Sequence, residues 1–421
     1  MAEDLNFTIK GDDNTSLQVN SSAAIPQPAV KSIYYNVPAE PVMEAPEGIL
    51  YDFNDGLRIK FPDGDGKWHV TFMDLDTGTV LYSADVQGGN MVTSVKKYYI
   101  KFHIAIFHIG EQKPFFEHTL DLKDKEVVIQ YPDGAVGDTI GWFSFMERFK
   151  NKHQCKLTCV LPEFAVGLFQ KQYPGIKLIK CGDKPEKDPY ATYYMGLFFR
   201  CNTSHQPIDF RQVGLHRTAA HILGVSDEDI PPRVDLSAKK TIKGKYCVIS
   251  TQASSMAKHW NNPGGWDQVI QFLRSQGYKV FCINKDRNYG DGEHWKHLPW
   301  GVEDATGPLP MQERVNLIKD ADFFIGLSSG ASWLAWCCKV PVVLISGFTL
   351  PFCEYYTPYR IINLNVCTGC WDDRKEDFDH SDFMWCPRHK GTPQAFECTK
   401  AISAEHVINT IKKIPAFKPA K

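Results

Sequence analysis
The chain has 421 residues, more than one core of ordinary size holds, so two or three domains are expected. Its 47 basic and 49 acidic side chains nearly cancel, and no Lys/Arg block interleaved with aromatics is present, which argues against a nucleic-acid partner. The N-terminus lacks a basic and apolar leader, and no run of about 18 apolar residues occurs, so a soluble, unsecreted chain without membrane insertion is expected.

Residues 1–47, rich in Asn, Ser, Ala and Pro, read as a disordered or wrapping arm. Over 48–125 short alternating runs such as Leu57-Arg58-Ile59-Lys60-Phe61 and Trp68-His69-Val70-Thr71-Phe72 are split by turn signals such as Asp63-Gly64-Asp65-Gly66. That spacing predicts a small all-β barrel or sandwich. From residue 126 the period becomes βα: strand 126–130, helix 140–151, strand 156–161, helix 163–173 and strand 176–179 make half of an open parallel sheet. Residues 188–201 read as a hairpin, and 214–223 as a helix closed at Gly224. After the proline-marked connection at Ile230-Pro231-Pro232 a second α/β half begins, with strands 246–250 and 279–283 and helices 266–276 and 310–319. It continues as a strand at 323–327, a turn, a helix at 333–339 and a strand at 340–345. The halves are placed at 126–235 and 236–362, and ligands of such sheets lie beyond the carboxyl ends of the strands.

Three stretches at those ends carry polar chemistry. In Ser328-Ser329-Gly330-Ala331-Ser332 an apolar strand gives way to small residues ahead of a helix, leaving free N–H groups suited to phosphate at Ser329 and Gly330; an ordinary crossover with a serine cap fits equally well. In Asp133-Gly134-Ala135-Val136-Gly137-Asp138-Thr139 one carboxylate stands where a helix begins. Spacing alone favours Asp138 as a helix cap over a general base. The loop from Ser250 to Pro263 gathers hydroxyls, an amide and one lysine, Lys258, which suits a diphosphate unless that lysine is merely solvated.

Thirteen cysteines are present, most set singly in apolar runs as in chains of a reducing compartment. Four differ: Cys367-Thr368-Gly369-Cys370, Cys386 and Cys398 fall within residues 363–421 at the spacing of a closed four-thiolate metal finger. By ligand softness zinc or iron would serve, with zinc the default. His389 is either a second-sphere donor or simply exposed. The polar loop 371–380 is expected to loosen without metal while the donor loops stay intact.

The Gly137-Asp138-Thr139 loop, Lys258-His259-Trp260-Asn261-Asn262-Pro263 and Gly326-Leu327-Ser328-Ser329-Gly330-Ala331 together resemble the heptosyltransferase type of GT-B glycosyltransferase. With the β-module in front and the cysteine finger behind, the chain from about residue 48 resembles the bacterial autotransporter heptosyltransferase family. The fold this implies is α/β: two Rossmann-like GT-B halves, an N-terminal barrel-like β domain and a C-terminal four-cysteine finger. The resemblance implies a cytoplasmic enzyme of a Gram-negative bacterium that moves heptose from ADP-heptose, with inversion, to serine hydroxyls of an autotransporter adhesin, threonine being an open second acceptor. It implies Asp138 as base and donor contacts at Ala135, Val136, Gly137, Thr139, Thr251, Gln252, Ser254 and Lys258, with Lys285, Leu309, Gly330 and Glu354 matched by position. It further implies one structural iron (Fe3+) at Cys367, Cys370, Cys386 and Cys398, no catalytic metal, and a homododecamer. The turn holds Ser328 and Ser329 where lipopolysaccharide heptosyltransferases usually carry an acidic residue and threonine. Two rival expectations are a lipopolysaccharide-type heptosyltransferase and a non-catalytic nucleotide-sugar-binding scaffold.

Overall fold
The computed structural model describes residues 35–199 and 203–420; residues 1–34 of the expected arm and Cys201 lie outside them. The first strands are β1 (Met43–Glu44), β2 (Leu50–Asn54), β3 (Arg58–Lys60), β4 (Lys67–Asp74), β5 (Thr79–Gln87), β6 (Met91–Thr93), β7 (Phe102–His108) and β8 (Phe116–Thr119). Next come β9 (Glu126–Gln130), α1 (Val136–His153), β10 (Lys156–Leu161), α2 (Glu163–Phe169), β11 (Lys177–Lys180) and β12 (Ala191–Tyr194). Helices α3 (Phe210–Val213) and α4 (Arg217–Leu223) lead into β13 (Tyr246–Ile249), α5 (Gly265–Ser275) and β14 (Lys279–Cys282). The chain then runs through β15 (Asn288–Asp291), β16 (His294–His297), β17 (Glu303–Asp304), α6 (Met311–Ile318), β18 (Phe324–Leu327), α7 (Gly330–Cys337), β19 (Val342–Ile345) and β20 (Arg360–Ile361). Helices α8 (Glu397–Lys400) and α9 (Ala404–Ile411) close it.

Two open sheets dominate. One runs β11-β10-β9-β12-β2-β3-β6, with β1 beside β2; the other runs β17-β14-β13-β18-β19-β20 with every pair parallel. All four residues of β13, β18 and β19 are buried, as central strands covered on both faces require. Helix α4 ends as expected at Gly224, which takes the left-handed conformation at φ 61°.

The expected β-module is not a closed unit. Only β5-β4-β7-β8 form a separate four-stranded antiparallel sheet, in which Trp68, Val70 and Phe72 of β4 are buried. Strands β2, β3 and β6 instead extend the first α/β sheet, because β12 pairs in parallel with β9 on one side and with β2 on the other, Ala191 facing both Val127 and Phe53. Among the described residues of the predicted hairpin over 188–201, this one strand is found, and residues 200 and 201 lie outside them. The junction is sealed by a buried polar knot. Arg58 donates to both oxygens of Asp52 (2.8 and 2.6 Å), while Asn54 donates to Asp52 (2.7 Å) and accepts from Thr192 (2.7 Å). Paired and hydrogen-bonded throughout, these buried groups fix the register rather than add net stability. The described end of the arm wraps onto this sheet: Tyr35 exchanges two hydrogen bonds with the Gln130 side chain, and Arg58 donates to Pro38 O.

Candidate functional site
Helices α1 and α7 start where β9 and β18 end, and their first turns abut. A Cβ on Gly330 would lie 2.7 Å from Val136 Cβ, and one on Gly137 would lie 3.5 Å from Gly330 Cα. The first-half loop and the second-half turn are thus brought together, and only glycine permits that approach. Gly330→Ala is expected to force the two helix starts apart and lower stability by about 1–3 kcal/mol, as overpacking does, read from the denaturation midpoint; an unchanged midpoint would show that the approach is not tight.

Neither polar group at these helix starts acts as a cap. No hydrogen bond to Asp138 is found among the described residues, and the residue at the cap position of α1 is Ala135. Burial pushes the Asp138 carboxyl up to about 6, opposed by the positive charge of Lys258. Ser329 occupies the cap position of α7, yet its side chain makes no cap bond and its buried hydroxyl has no partner among the described residues. Thr139, by contrast, is committed to the helix, its hydroxyl donating to Ala135 O at 2.8 Å.

The loop after β13 is organised from within. Thr251 exchanges two hydrogen bonds with the Asn284 side chain, at 2.8 and 2.9 Å, which pins it beside the end of β14. His259 hydrogen-bonds Ser255 O through Nδ1 (2.9 Å) and accepts from Ala253 N through Nε2, so it carries its proton on Nδ1, and burial drops its pKa to about 4. Trp260 donates to Ile402 O and Asn261 to Met256 O and His259 O. These residues brace the loop. What the loop leaves for a ligand is Gln252, buried with neither amide atom partnered among the described residues, the exposed Ser254, and Lys258. The Lys258 ammonium sits 5.3, 5.6 and 5.8 Å from the ring centres of Phe348, Trp371 and Phe378, and no carboxylate among the described residues lies within ion-pair distance of it. Burial lowers its pKa, opposed by Asp138 and, less strongly, by Cys353 and Glu354.

Lys285 and Leu309 are exposed just beyond β14 and β17 and are linked through Gly307, which donates to Lys285 O and accepts from Leu309 N. Glu354 is only 2 % exposed and is fully engaged: Arg360 (2.7 Å), Thr349 (2.8 Å) and Ser328 all donate to it. It acts here as the anchor of the turn. Sequence reading missed Asn284, Phe348 and Arg360; Asn284 acts on Thr251 and Phe348 on Lys258, across segments distant in the chain that spacing does not connect, whereas Arg360 pairs locally with Glu354.

Cys367, Cys370, Cys386 and Cys398 line one small pocket together with Arg388, His389 and Glu397. Burial and the neighbouring thiols push the Cys370 thiol well up and that of Cys398 up to about 12, so thiolates there need a compensating cation. The donor set fits a thiophilic metal. Cys367, His389 and Glu397 also offer ligand atoms within 4.8 Å of one another, a competing mixed set on the same pocket. The finger adjoins the donor loop: Met256 N (2.9 Å) and Ser255 Oγ (3.3 Å) both donate to Phe383 O.

Residues 214–376 match the glycosyltransferase family 9 (heptosyltransferase) model, and residues 45–110 match that of the N-terminal domain of the glycosyltransferase TibC. The chain is 49 % identical to the autotransporter heptosyltransferase Aah of Escherichia coli over 91 % of its own length and 97 % of that protein. It is 37 % identical to the inactive autotransporter heptosyltransferase BimC of Burkholderia thailandensis over 91 % of its length and 90 % of that one. Its fold superposes on the iron-containing dodecameric TibC of enterotoxigenic E. coli with a TM-score of 0.88 at 50 % identity, covering 90 % of this chain and 99 % of the other. The same protein in complex with ADP-D-beta-D-heptose gives a TM-score of 0.87. With these identities over nearly the whole length, and with two sheets of the GT-B type, the chain belongs to the autotransporter heptosyltransferase family.

Proposed function
We propose that this heptosyltransferase moves heptose from ADP-heptose to serine hydroxyls of a bacterial autotransporter, with Asp138 as general base. The observation that carries the reading is a pairing across the cleft. On α1 the Asp138 carboxyl, raised to about 6 by burial, feels the Lys258 charge from the second half, where Gln252 and Ser329 keep buried polar atoms without a partner among the described residues. In the proposed step the acceptor oxygen forms a bond to the anomeric carbon as the bond from that carbon to the diphosphate oxygen breaks. Asp138 takes the hydroxyl proton, and ADP leaves with the electron pair, its growing negative charge met by Lys258, the Ser329 hydroxyl and the free N–H groups of α7. Attack from the face opposite the departing diphosphate inverts the anomeric centre. The peptide groups of Ala135, Val136 and Gly137 border the sugar, and Thr251, Gln252, Ser254, Lys285 and Leu309 border the nucleotide.

Cys367, Cys370, Cys386 and Cys398 would hold iron, with zinc as the alternative, in a structural role that leaves the transfer chemistry to side chains. Assembly into a dodecamer and a cytoplasmic setting complete the proposal; no helix among the described residues is long and apolar enough to cross a membrane. Residues 126–235 are read as the acceptor side and 236–362 as the donor side. Co-expression with a candidate autotransporter, followed by intact-mass analysis, tests the function: mass increments on serine peptides are expected, and labelling of a lipopolysaccharide acceptor instead would redirect it. Lys258→Ala is expected to weaken ADP binding by about tenfold or more, as loss of a charged hydrogen bond to phosphate implies; titration calorimetry checks this, and unchanged affinity would remove Lys258 from the donor site.

A further inference from the structure
Resting on the reading of Lys258 as a diphosphate contact, we propose that Phe348, Trp371 and Phe378 form an aromatic box that positions the Lys258 ammonium for the donor. Trp371 and Phe378 belong to the cysteine finger, so the finger sets donor affinity from a distance. All three ring centres lie within 6 Å of Nζ, the range of cation–π attraction. The box is built as one unit: Trp371 lies 5.3 Å from Phe348 and 5.4 Å from Phe378, and Phe348 lies 5.6 Å from Phe378, all centre to centre. The buried Trp371 nitrogen has no hydrogen-bond partner among the described residues, so packing alone places that ring. Its other neighbours are Phe210 at 5.7 Å and Phe199 at 6.5 Å, both ahead of the second α/β half.

A ring box suits this task better than an acidic partner. A carboxylate bonded to the ammonium would cancel the charge that the diphosphate requires and would have to be displaced on binding. Ring faces hold the cation without neutralising it and confine a side chain with four rotatable bonds, so less freedom is lost when phosphate arrives. Cys370 adjoins Trp371 in the chain, and both lie in one helical turn, Cys370–Asp372. A metal-organised finger therefore delivers the box.

The test is calorimetric ADP binding to the full-length, metal-loaded protein, with steady-state kinetics alongside. Trp371→Leu and Phe378→Leu are expected to weaken ADP binding roughly three- to tenfold, the range of a desolvated cation–π contact. They should raise the KM for ADP-heptose by a like factor with kcat within about twofold, and Trp371→Phe should restore most of the affinity. In the Lys258→Ala background Trp371→Leu should add no further loss, the mark of a shared interaction. Metal content is measured in each variant; where Trp371→Leu loses metal, Phe378→Leu decides. Full ADP affinity in both leucine variants while Lys258→Ala weakens binding overturns the box alone, as does a loss that adds in full to that of Lys258→Ala. Unchanged affinity in Lys258→Ala itself overturns the donor-site reading and the box with it.

Discussion
Asp138→Asn is expected to fold normally and to bind ADP, while heptose transfer falls by about 100-fold or more, because the amide keeps the shape of the side chain but takes no proton. The absence of a cap bond to Asp138 makes this substitution clean: no helix-start hydrogen bond is removed with the charge. The same carboxyl sets the acid limb of the pH profile. Since burial raises its pKa to about 6, the base form is the minority below that pH and the majority above it. Transfer should therefore drop about tenfold per pH unit below about 6, and Asp138→Asn should lose that limb. Transfer by the variant at the wild-type rate would dismiss Asp138 as the base.

Cys370→Ser is expected to release the bound metal almost completely and to lower the thermal midpoint by about 5 °C or more, as loss of a site that organises its own segment implies. Metal analysis of the purified wild type should give about one ion per chain, and spectroscopy separates iron from zinc. Because Phe383 O accepts from both Ser255 and Met256, and Trp371 borders Lys258, ADP binding should weaken in the same variant. A variant that keeps its full complement of metal would shift the donor set towards Cys367, His389 and Glu397.

The parts of the fold that were legible are those in which local pattern and tertiary setting coincide. β13, β18 and β19 are apolar runs buried on both faces, and such runs have few other fates in an α/β chain. Helix starts were less so: α1 begins at Val136 and α7 at Gly330, ahead of the expected Ile140 and Trp333, since glycine and small residues hide a first turn that packing imposes. Alternation in β2 and β3 is the same whether these strands close on themselves or extend another sheet, so the pairing of Phe53 with Ala191 left no local trace. In the site, Asp138, Gln252, Lys258, Ser329 and Gly330 stood out by residue type at strand ends. The rings around Lys258 did not, because Phe348, Trp371 and Phe378 enter from a region about a hundred residues further along the chain.

The insertion of β12 between β9 and β2 has a consequence during synthesis. Asn54 waits for a partner 138 residues downstream, an interval of roughly 7–30 s at ordinary translation speeds. Until then the end of β2 at Phe53 and Asn54, beyond the part that β1 covers, offers an unpaired edge to any other nascent strand. A polypeptide trimmed to begin near residue 126 would lack β2, β3 and β6 in the finished sheet and leave that edge on β12 permanently. The yield of soluble enzyme should thus depend on keeping the β2 segment in the same chain, and on holdase chaperones that shield it while the ribosome completes the sheet.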